Sequence, residues 1–377
     1  MVVLADADKK TLPQAESGNK TENPKDDVQT TLSGDDRHVR LGNIALTWGV
    51  IQHFYPYFDL VDVDWDAELT KALVSASTDP DGKAFANTLE RMTAPLNDGH
   101  SSVFAEDLRD MAYLPIRFAS INGGLYVKHA FGAAEGIPPG SSVLEIDNEP
   151  IEQFIATFKQ RTSAATQSGM GDKLAKDSLA GKKGSLVQLR YRKPDGEIGE
   201  TGLARDINMM DYYVNFVFAG RPSPISEIRP GIWYVDTSRF DADVFESVLP
   251  ALASANGVIF DYREYVSRIH YTYLGHLHDD YMLSPRWGTP SVTEPDRNNW
   301  HWQMGRHGYA PRSPHIACRK IFLAGGGTIS AGETELGVIE AYGLGEIIGE
   351  QSAGTNGGAN NIVLPGAIPL FGRARES

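Results

Sequence analysis

Ser330 closes the run Gly325-Gly326-Gly327-Thr328-Ile329-Ser330, directly after a predicted strand, Ile321 to Ala324, and at the start of a predicted helix, Ser330 to Tyr342. Active sites gather outside the carboxyl ends of parallel strands. Glycines there let the chain turn tightly and let another molecule approach the backbone. A serine at a helix N-terminus faces unpaired N–H groups, beginning with that of Ala331, which favour negative charge. A serine nucleophile needs such donors for its oxyanion. Ser330 and Glu333 also match the S-x-x-E capping box, in which the serine only caps the helix. Both readings stand on the sequence. The glycine run lacks the G-K-[ST] ending of a phosphate loop and the third glycine of a dinucleotide fingerprint, so nucleotide binding is a third and weaker reading.

If Ser330 is a nucleophile, its base must come from upstream. Thr328 to Gly332 approaches the G-x-S-x-G elbow, but that arrangement places its histidine after the serine, and none of the ten histidines follows Ser330. His100 is the most suggestive, at a loop tip in Asn97-Asp98-Gly99-His100-Ser101-Ser102; a solvated loop histidine is the alternative. Six others (His270, His276, His278, His301, His307, His315) fall between Arg263 and Ile316, a long irregular stretch. His276-Leu277-His278 offers two ligands without a spaced third, a poor metal signal, so no metal or other cofactor is expected. Tyr271, Tyr273, Trp287, Trp300 and Trp302 either line a substrate groove or pack that stretch down. Asp261-Tyr262-Arg263 ends a buried-type strand, Gly257 to Phe260, whose end should lie beside the glycine run. It reads as a loop-fixing Asp–Arg pair or as part of the chemistry.

The elements that must position these groups follow from pattern. The chain has 377 residues, enough for roughly two or three domains of about 150 residues. It is 41% hydrophobic and 22% charged, so a packed core is available. With 35 basic and 49 acidic residues the net charge is -14, which argues against a nucleic-acid or anionic-membrane partner. No apolar run reaches the length of about 18 that spans a membrane. One cysteine, Cys318, excludes a disulfide framework and a multi-cysteine zinc site. The compartment stays open, and no signal peptide is legible at the N-terminus.

Residues 1–38 read as a disordered lead segment and 39–110 as a helical region. Leu41, Ile44, Trp48, Ile51 and Tyr55 form one helical face, stopped by Tyr55-Pro56-Tyr57. Asp64 opens a second helix, and Asp81 or Gly82 a third. Residues 111–207 read as strands with a helix over Ile151 to Arg161 and a flexible loop over 162–180. Residues 208–377 alternate strand and helix, which implies a mainly parallel sheet covered by helices.

Together these motifs resemble the S41 family of serine peptidases, the C-terminal processing proteases and the tricorn core. Arg40 to Asp66, with Trp48, Tyr55-Pro56-Tyr57 and Trp65-Asp66, resembles the N-terminal helical region of bacterial members. Leu96-Asn97-Asp98-Gly99-His100-Ser101 resembles their L-x-D-G-H-[ST] element. Gly140 to Pro150 resembles a strand and turn of a PDZ-like module. Gly257 to Arg263, Gly327 to Glu333 and Gly349 to Gly357 resemble the core.

The resemblance implies an α/β fold with a small helical region, a PDZ-like module and a ClpP/crotonase-like protease core. It implies a serine endopeptidase acting on peptide or unfolded-protein substrates, held in extended form or by the C-terminus. Ser330 would be the nucleophile and His100 the base, with Ala331, Gly327 and the backbone at Arg263 around the oxyanion, and Asp261, Glu333 and Ser101 in support. A Ser–Lys dyad is not implied, because Thr355 stands 25 residues after Ser330, where the processing branch has its lysine. Gly99 stands where the tricorn-like branch has a serine. The Asp261-Tyr262-Arg263-Glu264 stretch lacks the glycines of the family's D-x-R-x-N-x-G-G, and Phe371 to Ser377 departs from the family's continuation, which suggests a core incomplete at its C-terminus. A catalytically silent peptide- or ligand-binding relative is the alternative. The resemblance is to a family often exported. The oligomeric state is not legible.

Overall fold

The computed structural model describes residues 32–103, 111–267, 270–291, 301–365 and 368–373. Most of the lead segment, Tyr271's side chain and Trp300 lie outside what is described.

Helices α1 (Arg37–Phe54), α2 (Trp65–Thr78) and α3 (Gly82–Thr93) begin where aspartates can cap them. Asp36, Asp64 and Asp81 accept hydrogen bonds from the N–H groups of His38, Ala67 and Ala84, satisfying donors that a first turn leaves unpaired. Pro56 cannot continue α1, and Tyr55 is extended at φ -75°, ψ 117°. The three helices bury Ile44, Trp65, Phe85, Leu89 and Met92 in one cluster.

The next unit is an antiparallel sheet built on β1 (Ile116–Ile121), β2 (Gly124–Ala130), β3 (Ser142–Ile146), β4 (Leu186–Arg192) and β5 (Ile198–Ala204), in that spatial order. The short strand Glu149–Pro150 also pairs with β3. β1 is therefore an edge strand. Helix α4 (Ile151–Gln160) follows that short strand, and α5 (Gln167–Asp177) packs on β1. The sequence reading of 162–180 as a flexible loop is thus corrected. Thr166 caps α5 by accepting from the Gly169 N–H at 3.0 Å, and Leu174 and Ala175 are buried. Gly169 and Gly171 lower helix propensity and mask the signal, but tertiary packing supplies what propensity lacks.

The last third holds a five-stranded sheet, β6 (Ile225–Arg229), β7 (Ile232–Asp236), β8 (Gly257–Asp261), β9 (Arg319–Ala324) and β10 (Glu346–Gly349), in that order. All neighbours after the β6–β7 pair run parallel. Helix α6 (Ala242–Ala253) joins β7 to β8, and α7 (Ala331–Ala341) joins β9 to β10. Central β8 buries Val258 and Phe260 on one face and Gly257 and Asp261 on the other, with Ile259 half-buried between them, as a strand covered on both faces requires. Phe260 stacks on Phe322 at 5.2 Å and on Tyr273 at 5.1 Å. Tyr273 is therefore a core residue, and the groove reading fails for it. The irregular stretch after Arg263 contains two short pairings, Met282–Leu283 with Gly308–Tyr309 and Trp287–Ser291 with His301–Gly305.

A terminal hairpin, β11 (Ala359–Leu364) and β12 (Ile368–Arg373), returns to the helical region. Ser102 and Val103 pair with Phe371 and Leu370, and the Asn43 Nδ2 donates to the Pro365 carbonyl at 2.8 Å. Among the described residues, no helix is long and apolar enough to cross a membrane.

Candidate functional site

Parallel pairing brings the carboxyl ends of β8 and β9 side by side, with Asp261 opposite Leu323. From Ala324 the chain runs through the glycines to Ser330. Thr328 fixes this loop: its Oγ1 donates to the Tyr262 carbonyl at 2.6 Å and accepts from the Gly325 N–H at 3.1 Å. None of the three glycines has positive φ. A Cβ on Gly326 would strike the Ser168 backbone at the start of α5, and one on Gly327 would strike the Arg263 carbonyl. At those two positions the close approach comes from this chain's own segments, not from a foreign molecule as the sequence suggested. Replacing Gly326 with alanine should destabilise the protein by about 1–3 kcal/mol, measured by urea unfolding, because the obstacle is backbone and cannot rotate away.

Ser330 is the N-cap of α7, with φ 59° and ψ -116°. That combination lies outside the allowed regions for residues with a side chain and costs about 1–3 kcal/mol. The Ser330 N–H donates to the Thr355 carbonyl at 3.0 Å and to Glu333 Oε2 at 3.1 Å. Glu333 thus supplies its half of a capping box. The reciprocal half only approaches: the Glu333 N–H faces the Ser330 side chain but donates to the Ser330 carbonyl at 3.0 Å. The box thus has both partners in place, without a strong cap bond at Ser330 Oγ, and the capping reading stands beside the catalytic one. The N–H groups of Ala331 and Gly327 meet no acceptor among the described residues.

Glu333 does more than cap. Its carboxylate accepts from Ser352 Oγ and the Gly354 N–H, both at 2.7 Å, and from the Thr355 N–H at 2.9 Å. It therefore fixes the loop that carries Thr355, which is fully buried. Thr355 in turn accepts from the Gly99 N–H at its Oγ1, 3.1 Å away. One residue thus receives both the Ser330 N–H and the N–H next to His100. Tertiary structure has brought the backbone at positions 99 and 330 onto one threonine.

The His100 loop is held from several sides. Asp98, almost wholly buried, accepts the His100 N–H at 2.9 Å, and its own N–H reaches Ser163 Oγ at 2.8 Å. His100 Nδ1 lies 4.0 Å from Asp98 Oδ1, with the imidazole 16% exposed. The Ser101 N–H closes the turn onto the Asp98 carbonyl at 2.9 Å. Tyr55, from the proline stop of α1, donates its hydroxyl to the Leu96 carbonyl at 3.0 Å. Sequence reasoning used Tyr55 only as a helix end and missed this support.

Asp261 and Arg263 form the predicted pair: Arg263 Nε and Nη2 donate to the two Asp261 oxygens at 2.9 and 2.6 Å. Burial raises the Asp261 pKa, but Arg263, the Arg221 charge and the Tyr234 hydroxyl outweigh it and hold it at about 2. The Arg263 N–H is taken by Asp261 Oδ1 at 3.0 Å, so it does not point at a ligand. Beyond it lies a charge network invisible in the sequence. Glu264 is 6% exposed and pairs with Lys176, Arg221 (3.3 Å) and Arg117 (3.7 Å). Burial opposes the Lys176 charge, but Asp172 and Glu264 more than offset it and raise its pKa. The network ties α5 and β1 to the end of β8.

Beside the glycine run lies a cleft of 1230 Å³, bordered by β1, α5, Arg263 and Gly325 to Gly327; Ser330 and His100 do not line it. His276 lies elsewhere, buried, with Nδ1 on the Pro314 carbonyl at 2.9 Å. Among the described residues no three His, Cys, Asp or Glu side chains gather as a metal site.

No protein-family model and no curated protein sequence matches the chain. Solved structures do. Mature CPAF complexed with lactacystin superposes with TM-score 0.71 at 14% identity, over 90% of each chain. Mature CPAF alone gives 0.68 at 14%, over 90% of this chain and 89% of that one. The photosystem II D1 C-terminal processing protease gives 0.48 at 13%, over 93% and 89%.

Proposed function

We propose, from the fold that this chain shares with the S41-family peptidases among which its structural neighbours fall, that it is a serine peptidase with Ser330 as nucleophile and His100 as base. The observation that carries the reading is the strained backbone of Ser330 at the mouth of α7, beside the unengaged Ala331 N–H. Strain of this kind persists where surrounding structure over-determines it, and it clusters at working sites.

In this reading Ser330 Oγ attacks the scissile carbonyl carbon while His100 takes its proton. The N–H groups of Ala331 and Gly327 hold the oxyanion. His100 gives the proton to the leaving amine, and water then cleaves the acyl-enzyme with the roles repeated. Glu333 and Asp261 take no part in the proton transfers; they fix the Thr355 loop and the Arg263 turn. Thr355 has no amine, which favours the tricorn-like arrangement over a Ser–Lys dyad. Residues 39–110 supply the base and 208–377 the nucleophile. Residues 111–207 act as a PDZ-like module, whose edge strand β1 can accept an extended peptide as a further strand.

The engaged Arg263 N–H favours a second reading, a silent peptide-binding relative with this fold. A serine-directed fluorophosphonate separates the two: the peptidase gains a covalent adduct on Ser330, found by mass spectrometry, and a silent relative stays unlabelled. A base must be unprotonated to act, so kcat/KM should fall on the acid side as His100 gains a proton. His100→Ala should lose that limb together with about a hundred- to ten-thousand-fold in rate. A full-rate His100→Ala protein would remove His100 from the mechanism.

A further inference from the structure

The cleft is cationic on a chain whose net charge is -14. Arg117, Lys128, Lys159, Arg221 and Arg263 line it. Of its three carboxylates, Asp172 and Glu264 are already engaged by Lys176 behind the wall. The side chains of Arg117 and Arg221 are each 7% exposed. Glu264 pairs with both guanidiniums, Asp236 and Asp261 also pair with Arg221, and the Tyr212 hydroxyl interacts with Arg117. Yet Nε and Nη1 of Arg117 and Nε of Arg221 are buried without a hydrogen bond among the described residues. Buried donors of this kind cost free energy until something accepts from them.

Lys128 is an independent observation. Arg117 pairs with His129 and Phe118 with Val127, so Lys128 is the extra residue of a β-bulge. Bulges re-aim side chains, and this one sets Lys128 on the cleft wall. Among the described residues no ion pair holds its ammonium. Lys128 is exposed; desolvation at the wall, then the like charges of Arg117, Arg221 and Arg263, lower its pKa, with Glu264 opposing.

We propose that the cleft receives a substrate carboxylate, with the Lys128 ammonium in direct contact and the Arg117 and Arg221 donors behind it, so that the protein selects acidic peptides. The word substrate rests on the peptidase reading; the anion site itself does not. The cleft reaches Gly327 and Arg263, while Ser330 and His100 are not part of its lining, so the carboxylate would be held beside the glycine run and not at the nucleophile itself. It comes from an Asp or Glu side chain; a gain carried only by the free C-terminus would be chain-end recognition and would overturn the proposal.

The test measures binding to the Ser330→Ala protein by fluorescence anisotropy. Four labelled peptides are compared: an internal Glu or its Gln counterpart, each with a free or an amidated C-terminus. The internal Glu should tighten binding roughly tenfold over its Gln counterpart, the size of one charge-assisted hydrogen bond, and added salt should erode the gain. Lys128→Glu, with its melting temperature checked against the parent, should reverse the preference toward a Lys-bearing peptide. Equal binding of all four peptides, or an unchanged preference in Lys128→Glu, overturns the proposal. Acid-selective binding without hydrolysis by the native protein keeps this inference and removes the peptidase reading. Hydrolysis without acid selectivity does the opposite.

Discussion

If the proposed peptidase reading holds, Ser330→Ala should lower peptide hydrolysis by about a thousandfold or more, with peptide binding retained. Loss of a serine nucleophile leaves only what positioning and the oxyanion donors contribute, and in a comparable serine protease that loss reaches about 10⁶ in kcat. The companion variant Ser330→Gly should be equally inactive but more stable than Ser330→Ala, by about 1 kcal/mol or more. Alanine inherits the backbone at φ 59° and ψ -116° with its Cβ still in place, whereas glycine adopts it without steric cost. Urea unfolding of the two variants reads the difference. A Ser330→Ala protein with parental turnover would end the proposed mechanism. Equal stability of the two variants would show that the strain is not there.

Glu264→Ala should cost about 3–5 kcal/mol of folding stability, the range for removing one partner from a buried ion pair. Lys176, with 7% of its side chain exposed, keeps Asp172, but Arg117 loses its carboxylate partner, and Arg221 keeps only the two aspartates at the sheet ends. Uncompensated charge in a low-dielectric site is what makes such truncations expensive. Function should suffer as well. Gly327 packs against the Arg263 carbonyl, Lys176 Nζ and Glu264 Oε2, so loosening the network moves the wall beside the proposed oxyanion site and raises KM in whatever turnover remains. A Glu264→Ala protein within about 0.5 kcal/mol of the parent, the usual range for surface changes, would show that the network is solvated in solution.

Sequence alone determined much of this protein. Asp64, Asp81 and Pro56 mark element boundaries through local chemistry, where a cap or a missing N–H acts within a few positions; the Asp36 cap of α1, inside the stretch 1–38 read as disordered, was missed. The strands Gly257 to Phe260 and Ile321 to Ala324 announced a buried sheet because both their faces are apolar. Ser330, His100 and the Asp261–Arg263 pair were legible as residue types in suggestive settings. Helix α5 was not: Gly169 and Gly171 weaken its local signal, and its stability comes from β1 and from hydrogen bonds of Thr166 and Ser168 to the carbonyls of Ser352 and Gln351. The role of Glu333 as holder of the Thr355 loop, the meeting of Gly99 and Ser330 on Thr355, and the charges around Glu264 were equally hidden. These depend on pairs far apart in the chain, such as Gly99 with Thr355 and Lys176 with Glu264. A local pattern reports the conformational preference of a few neighbouring residues. Which distant groups share a site is set by how the sheets and helices pack, and that information exists only once the chain has closed on itself.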